Sequence, residues 1–195
     1  MKLIVIPDLS TDIPPTVALQ SVVLAGGCFW CVEAVYQQLR GVRKVTSGYA
    51  GGTADTANYH AVCTGRTGHA EAVHITFDSA FISFGHLLKI FFTVTHNPTE
   101  FNRQGADIGR QYRSAIFYSD ESQRAVAAAY IRKLDAAHIF SKAIVTTLEP
   151  LKAFYPAEDY HQDYAALNPH HPYIACVARP KVEQLRAMFP KYLKG

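Results

Sequence analysis

Little in this chain points to nucleic acid, membrane or export. Its net charge is only +3 and it carries no dense run of lysine or arginine, so the basic footprint of a nucleic-acid binder is missing. No apolar run approaches the roughly 18 residues that a membrane span requires. The N-terminal stretch Met1-Lys2-Leu3-Ile4-Val5-Ile6 is cut off by Pro7 and Asp8, too early for the apolar region of a signal peptide. A soluble, cytoplasmic protein is therefore expected. Internal repeats, low-complexity tracts and clear linkers are also lacking. A chain of 195 residues, 49% hydrophobic and 18% charged, is most simply one globular domain. Cysteine is sparse, at four residues. In a reducing compartment these are better suited to catalysis or metal binding than to structural disulfides.

What is present is a strand and helix pattern. Residues 1–18 read as an extension, because Pro7, Pro14 and Pro15 resist regular structure; residues 19–195 read as one catalytic domain. Ser21-Val22-Val23-Leu24-Ala25 suits a strand buried on both faces. Gly26-Gly27 ends it, and Val32, Val35, Tyr36 and Leu39 then follow a helical stripe. Val42 to Tyr49 reads as a strand. Ala70 to Phe77 alternates, with Glu71, Val73, Ile75 and Phe77 on one face. Phe84, Leu87, Leu88 and Phe91 mark a second helix with Ser83 as its N-cap. A strand is expected at Ser114–Tyr118. This order predicts an α+β protein with a ferredoxin-like split βαβ core. A third helix near 120–137, a strand near 143–148 and a loop-rich tail are added around it. The tail closes in a helix opened by Pro180, with Val182, Leu185 and Phe189 inward. Two long loops, 52–68 and 96–111, are where function is expected.

Cys28 stands where the first strand turns through two glycines into a helix. Helix N–H groups and the positive end of the dipole would then favour its thiolate. At a reference pKa near 8.5, roughly 3% of a thiol is ionised at pH 7. Lowering it by about 1.5 units would ionise about half. The plainer alternative is a small buried hydrophobe, the usual fate of a free cysteine. Cys28 and Cys31 form a C-x-x-C pair, for which three readings stand. A zinc site lacks two more ligands at convincing spacing, because Cys63 and Cys176 are isolated. A thioredoxin-like dithiol is the second. In the third, Phe29 and Trp30 wall a small apolar pocket beside the sulfur, although both also suit plain core packing.

Several blocks together resemble the A-type peptide-methionine (S)-S-oxide reductases: Gly27-Cys28-Phe29-Trp30, Gly48-Tyr49-Ala50-Gly51-Gly52 and Thr67-Gly68-His69-Ala70-Glu71. Arg103-Gln104-Gly105 with Asp107, Gln111-Tyr112-Arg113-Ser114, and Phe154-Tyr155-Pro156-Ala157-Glu158-Asp159-Tyr160-His161-Gln162 continue the likeness in the family's order. The resemblance implies reduction of the S epimer of methionine sulfoxide, in oxidised proteins and as the free amino acid. It implies thioredoxin as reductant, replaceable by dithiothreitol, and no cofactor or metal. Carried over, Cys28 would attack the sulfoxide sulfur and Glu71 would protonate the departing oxygen. Tyr59 and Tyr112 would hydrogen-bond that oxygen, Asp107 would support the site, and Phe29 and Trp30 would hold the methyl group. The sequence departs from the family at His96-Asn97-Pro98, usually His-Asp-Pro, and at Gly105-Ala106-Asp107, usually Gly-Asn-Asp. Neither departure touches a residue given a role.

The chemistry has its own demands. A sulfoxide oxygen leaves poorly unless protonated, so thiolate attack needs an acid. Glu71, on an apolar strand face, should be desolvated and hold its proton near pH 7; without the motif, a solvent-facing glutamate would be the ordinary expectation. An ionised Glu71 near Cys28 would oppose thiolate formation, so the two should titrate together and give a bell-shaped pH profile. Tyrosines suit the oxygen because phenols donate hydrogen bonds and stay neutral. Attack leaves a sulfenic acid that a second thiol must condense with. Cys31 is favoured by its C-x-x-C spacing. Cys176 is the alternative, although Tyr173-Ile174-Ala175-Cys176-Val177 reads as a packed apolar run. Cys63 reads as structural. A general disulfide oxidoreductase and a non-catalytic zinc or peptide-binding module are the competing functions.

Overall fold

The computed structural model describes residues 6–9 and 11–195; Met1–Val5 of the N-terminal apolar stretch lie outside them. The chain runs β1 (Gln20–Gly26), α1 (Phe29–Tyr36), β2 (Val42–Ala50), α2 (Tyr59–Cys63), β3 (Ala70–Phe77), α3 (Phe84–Ile90), β4 (Arg103–Gln104) and β5 (Asp107–Ile108). It continues with β6 (Ser114–Tyr118), α4 (Glu121–Ala136), β7 (Thr147–Pro150), β8 (Phe154–Pro156), α5 (Tyr164–Leu167) and α6 (Arg179–Met188). Six strands form one sheet in the order β7-β6-β1-β3-β2-β8. Its four central strands are each antiparallel to their neighbours; β7 joins parallel to β6, and β8 joins antiparallel to β2. The architecture is α+β.

The two-sided burial expected of β1 follows its alternation. Val22 and Leu24 share the large core with Val73, Ile75 and Phe77 of β3 and with Val32, Val35 and Tyr36 of α1. Val23 and Ala25 point the other way, into a smaller cluster with Ala70, Ala72, Ala115 and Phe117. Ser83 caps α3 as expected, its side chain accepting from the His86 N–H. Pro180 opens α6, Leu185 and Phe189 are buried, and Val182 is partly so.

Four expectations shift. α1 ends at Tyr36, and Leu39 lies beyond it in an isolated bridge to Leu193, still buried; the stripe marked burial rather than helix length. The late strand begins at Thr147 instead of 143, where pairing with Ala115 starts. The loop 52–68 contains α2, nucleated by Asn58, whose side chain accepts from Ala61 N at 3.0 Å. The segment expected to be an extension also packs: Ile6 is buried, Tyr130 Oη donates to the Pro7 carbonyl at 3.0 Å, and Asp12 accepts from Gly85 N at 2.9 Å. Proline forbids regular structure there but not contact.

Antiparallel pairing sends the critical ends to one edge of the sheet. β1 exits at Gly26 opposite the start of β6 at Ser114. β2 exits at Ala50 opposite the start of β3 at Ala70, with Tyr49 opposite Glu71. The β1–α1 turn and the loops before β3 and β6 therefore converge. Gly48 holds this edge against β8: a Cβ there would lie 2.4 Å from both Phe154 Cζ and the Tyr155 carbonyl oxygen. Backbone cannot yield as a flexible side chain can, so Gly48→Ala is expected to cost about 1–3 kcal/mol. In circular dichroism melts this should lower Tm by several degrees, and an unchanged melt would mean that β8 yields freely.

Candidate active site

The converging loops enclose a cavity of about 170 Å³ lined by Cys28, Phe29, Trp30, Tyr59, Glu71, Asp107, Tyr112 and Tyr173. All seven residues singled out, for nucleophile, acid, oxygen and methyl contacts and for Asp107's support, meet there. Each arrives by a separate local device. Gly27, at φ +83°, makes the turn that delivers Cys28 to the start of α1. α2 carries Tyr59 in from one long loop. In the other, the short β4–β5 hairpin sets Asp107, and a 3₁₀ turn at Arg110–Tyr112 sets Tyr112.

Glu71 is 3% exposed and accepts the Phe29 backbone N–H through Oε2 at 3.1 Å. Burial raises its pKa to about 8, and the nearby Asp107 charge adds to that. The expectation of an acid protonated at neutral pH thus has a physical basis in desolvation.

The thiols behave otherwise than expected. The leading N–H of α1 serves Glu71, and the Cys28 side chain makes no capping hydrogen bond. Cys28 is buried, and burial pushes its thiol well above the usual range, with a hydrogen bond to Cys31 and the Glu71 carboxylate acting in the same direction. Cys31 instead drops to about 7; its hydrogen bond from Cys28 is the main cause and outweighs burial, while the Lys181 cation and the Tyr173 hydroxyl assist. The thiolate expected on Cys28 thus belongs to the Cys28–Cys31 pair, with the charge resting toward Cys31. The helix-dipole expectation failed because the Glu71 carboxyl already takes the first N–H at that helix end.

The aromatic walls are held firmly. Trp30 stacks on Tyr164 at 3.8 Å between centroids and 8° between planes. Its Nε1–H donates to His161 Nδ1 at 3.2 Å. His161 is buried and its pKa is lowered by burial, which keeps that nitrogen a free acceptor. Phe29 packs against Tyr49 and His161. Glu158 ties the site to β2 by accepting from Tyr49 Oη at 2.8 Å and from the Tyr59 N–H at 2.9 Å. Burial raises both Tyr59 and Tyr112 above their usual range, so each remains a neutral donor.

Asp107 orients neither of these tyrosines. Its Oδ2 accepts from Tyr173 Oη at 2.5 Å, and Tyr173 in turn accepts from Cys31 Sγ at 3.8 Å. The sequence shows Tyr173 only as part of an apolar run. Nothing in sequence marks it, because its place beside Cys31 depends on how the tail folds over α1. Cys176, in the same run, is exposed and lines a different cavity, with Val177, Pro180 and Lys181; the run is less packed than expected because, of its five residues, only Ile174 is fully buried, with Tyr173 and Val177 half-buried against the core. Cys63 is likewise exposed, at the end of α2, and forms no part of the core. Among the described residues no group of three or more His, Cys, Asp or Glu side chains is arranged to hold a metal ion, and no helix is long and apolar enough to cross a membrane.

Residues of the quoted blocks that received no role are structural ties. Arg113 grips Glu149 with two hydrogen bonds, at 2.9 and 3.0 Å, and also donates to the Gly68 carbonyl. Gln162 closes bonds to Ser47 N, Ser47 O and Ala157 O. His96-Asn97-Pro98, one of the two departures, keeps a buried His96 bonded to Ser114 Oγ at 2.6 Å.

Comparison with known proteins gives a consistent result. The family model described as peptide methionine sulfoxide reductase matches residues 20–193. A relative named peptide methionine sulfoxide reductase MsrA 2, from Synechocystis, is 50% identical over 98% of this chain and 91% of its own length. Among solved structures, reduced Mxr1 from Saccharomyces cerevisiae superposes with a TM-score of 0.73 at 31% identity, covering 83% of this chain and 92% of that one. The same yeast protein in complex with Trx2 matches with a TM-score of 0.52 at 24% identity, over 78% of this chain and 90% of that one.

Proposed function

The chain belongs to the peptide methionine sulfoxide reductase family and reduces methionine sulfoxide in peptides; on that premise we propose how this site performs the reaction. The sulfur of Cys28, as thiolate, attacks the sulfoxide sulfur. Glu71 passes its proton to the sulfoxide oxygen, which Tyr59 and Tyr112 hold by hydrogen bonds. The sulfur–oxygen bond of the substrate breaks, methionine leaves, and Cys28 keeps the oxygen as a sulfenic acid. Cys31 then condenses with Cys28, releasing water and leaving a disulfide. The observation that carries this reading is the single cavity in which thiol, carboxyl, two phenols and two aromatic walls meet.

The epimer preference follows from the same arrangement. The methyl group belongs against Phe29 and Trp30, and the oxygen against Glu71, Tyr59 and Tyr112. With both subsites fixed and Cys28 attacking from one side, a single hand at sulfur directs the peptide arm to the opening. The S epimer is that hand by the family resemblance, and the small cavity admits the free amino acid as well. Thioredoxin is the proposed reductant in repair of oxidised proteins. The yeast relative's complex with Trx2 supports it, with dithiothreitol as a substitute. The site is proposed to work without cofactor, in the cytoplasm, on a catalytic domain of residues 19–195. Its central strand order β6-β1-β3-β2 supports a ferredoxin-like core.

The test is turnover of a methionine sulfoxide peptide with dithiothreitol, using each epimer separately. Consumption of the S epimer alone is expected, by a factor of at least about 100, the scale at which a misplaced oxygen loses its proton donor. Equal consumption of both epimers would refute the fixed methyl and oxygen subsites.

A further inference from the structure

We propose that Tyr173 is a catalytic proton-transfer residue of the resetting step, in which Cys31 closes a disulfide on oxidised Cys28. The proposal rests on the reading above for Cys28 and adds a step that it leaves open. Tyr173 Oη accepts from Cys31 Sγ at 3.8 Å and donates to Asp107 Oδ2 at 2.5 Å. Asp107 and Tyr173 both line the cavity with Cys28. One hydrogen-bonded chain therefore runs from the attacking thiol to a carboxylate that lines the same cavity as Cys28.

The proton count shows why such a chain is needed. The first step consumes the Glu71 proton, which ends on the sulfenic oxygen. In the second, Cys31 sulfur attacks Cys28 sulfur, a sulfur–sulfur bond forms and the sulfur–oxygen bond breaks. The departing hydroxide needs a proton to become water, and Glu71 has already given its own. The Cys31 thiol holds the one that balances the step: thiol plus sulfenic acid gives disulfide plus water, with the sulfenic acid as the oxidant. Passing that proton from Cys31 to Tyr173, from Tyr173 to Asp107 and from Asp107 to the oxygen joins donor to leaving group. A hydroxyl can accept and donate at once, which a phenylalanine cannot.

The surroundings favour this role. Burial raises the Tyr173 phenol beyond its usual range, so it relays a proton without resting as a phenolate. In the reduced pair the Cys31 thiol is drawn down to about 7, chiefly by Cys28; the Lys181 cation and the Tyr173 hydroxyl lower it too, and these two persist once Cys28 is oxidised, favouring Cys31 as the attacking thiol. The Tyr173 ring also meets Trp30 edge-on at 6.1 Å, so removing only the hydroxyl leaves that packing in place.

The experiment mixes reduced enzyme with excess methionine sulfoxide peptide and no reductant. It follows methionine release, sulfenic acid trapped by a cyclic 1,3-dione, and the Cys28–Cys31 disulfide by peptide mapping. In Tyr173→Phe, disulfide closure is expected to slow at least about tenfold relative to methionine release in the same mixing. Trapped sulfenic acid should rise, and the pH midpoint of Cys31 alkylation should move up. Asp107→Asn, which keeps the hydroxyl but removes the negative charge, should also slow closure while moving that midpoint down. Opposite shifts with the same kinetic defect are not what loosened packing would produce. Closure at the wild-type ratio in either variant would overturn the relay. Absence of methionine release from the wild-type enzyme would instead overturn the assignment of Cys28, and the relay with it.

Discussion

Cys28→Ser is expected to lower methionine formation by roughly 10⁴-fold or more, the scale seen when a nucleophile is removed. A serine hydroxyl in the same buried turn holds its proton far more tightly than a thiol, and burial, already unfavourable to the Cys28 thiolate, penalises an alkoxide further. Oxygen also cannot take on the sulfoxide oxygen as sulfur does in a sulfenic acid. Cys31→Ser should behave quite differently. Its nucleophile and acid are intact, so without reductant it should still release one methionine per enzyme. Thioredoxin-driven turnover should then stall, because no C-x-x-C disulfide forms for the reductant to attack. Dithiothreitol, a small thiol able to reach the sulfenic acid directly, should sustain slow turnover. The measurement is methionine per enzyme with each reductant, with the disulfide mapped after one turnover. Undiminished thioredoxin-driven turnover in Cys31→Ser, with the bridge mapped to Cys176, would move the resolving role to the tail. The exposure of Cys176 in a separate cavity argues against that result.

The sequence announced its strands and helices where one physical signal dominated. The alternation from Ala70 to Phe77 coincides with β3 because one face meets α1 and the other a small alanine-rich layer. Signals failed where tertiary contacts decide. The stripe through Leu39 outran its helix because a bridge to Leu193 buries that residue instead. Loop 52–68 concealed α2, whose few residues are too short for periodicity to register. The site was legible as a set of residue types, since each long loop and each glycine turn carried one of them. Its electrostatics were not. That the first N–H of α1 would be claimed by Glu71 depends on the register of β1, β2 and β3, and no local pattern encodes it. Tyr173 lay deeper still, since 142 positions separate it from Cys31 and only the packed tail brings them together.

Glu71→Gln is expected to reduce kcat/KM by about 10²–10³, within the usual contribution of a general acid, and to change the shape of the pH profile. In the wild-type enzyme the thiol pair must lose a proton, so activity should rise through about 7, where Cys31 titrates. Glu71 must keep its proton, so activity should fall as pH passes about 8. The two limbs belong to interacting groups and are macroscopic values of the site, which makes the optimum narrow and places it between them. Replacing the carboxyl with an amide preserves a hydrogen-bond donor but supplies no proton. The alkaline limb should therefore vanish, leaving a low rate that rises and then stays level. A stability measurement separates this from damage to the fold. The Glu71 carboxyl titrates near 4.5 when exposed and near 8 when folded. Between those values the folded chain binds the extra proton, so stability declines as pH rises through this window. Glu71→Gln removes that decline and should melt no lower than wild type at pH 8. An unaltered alkaline limb in a folded Glu71→Gln protein would show that another group delivers the proton.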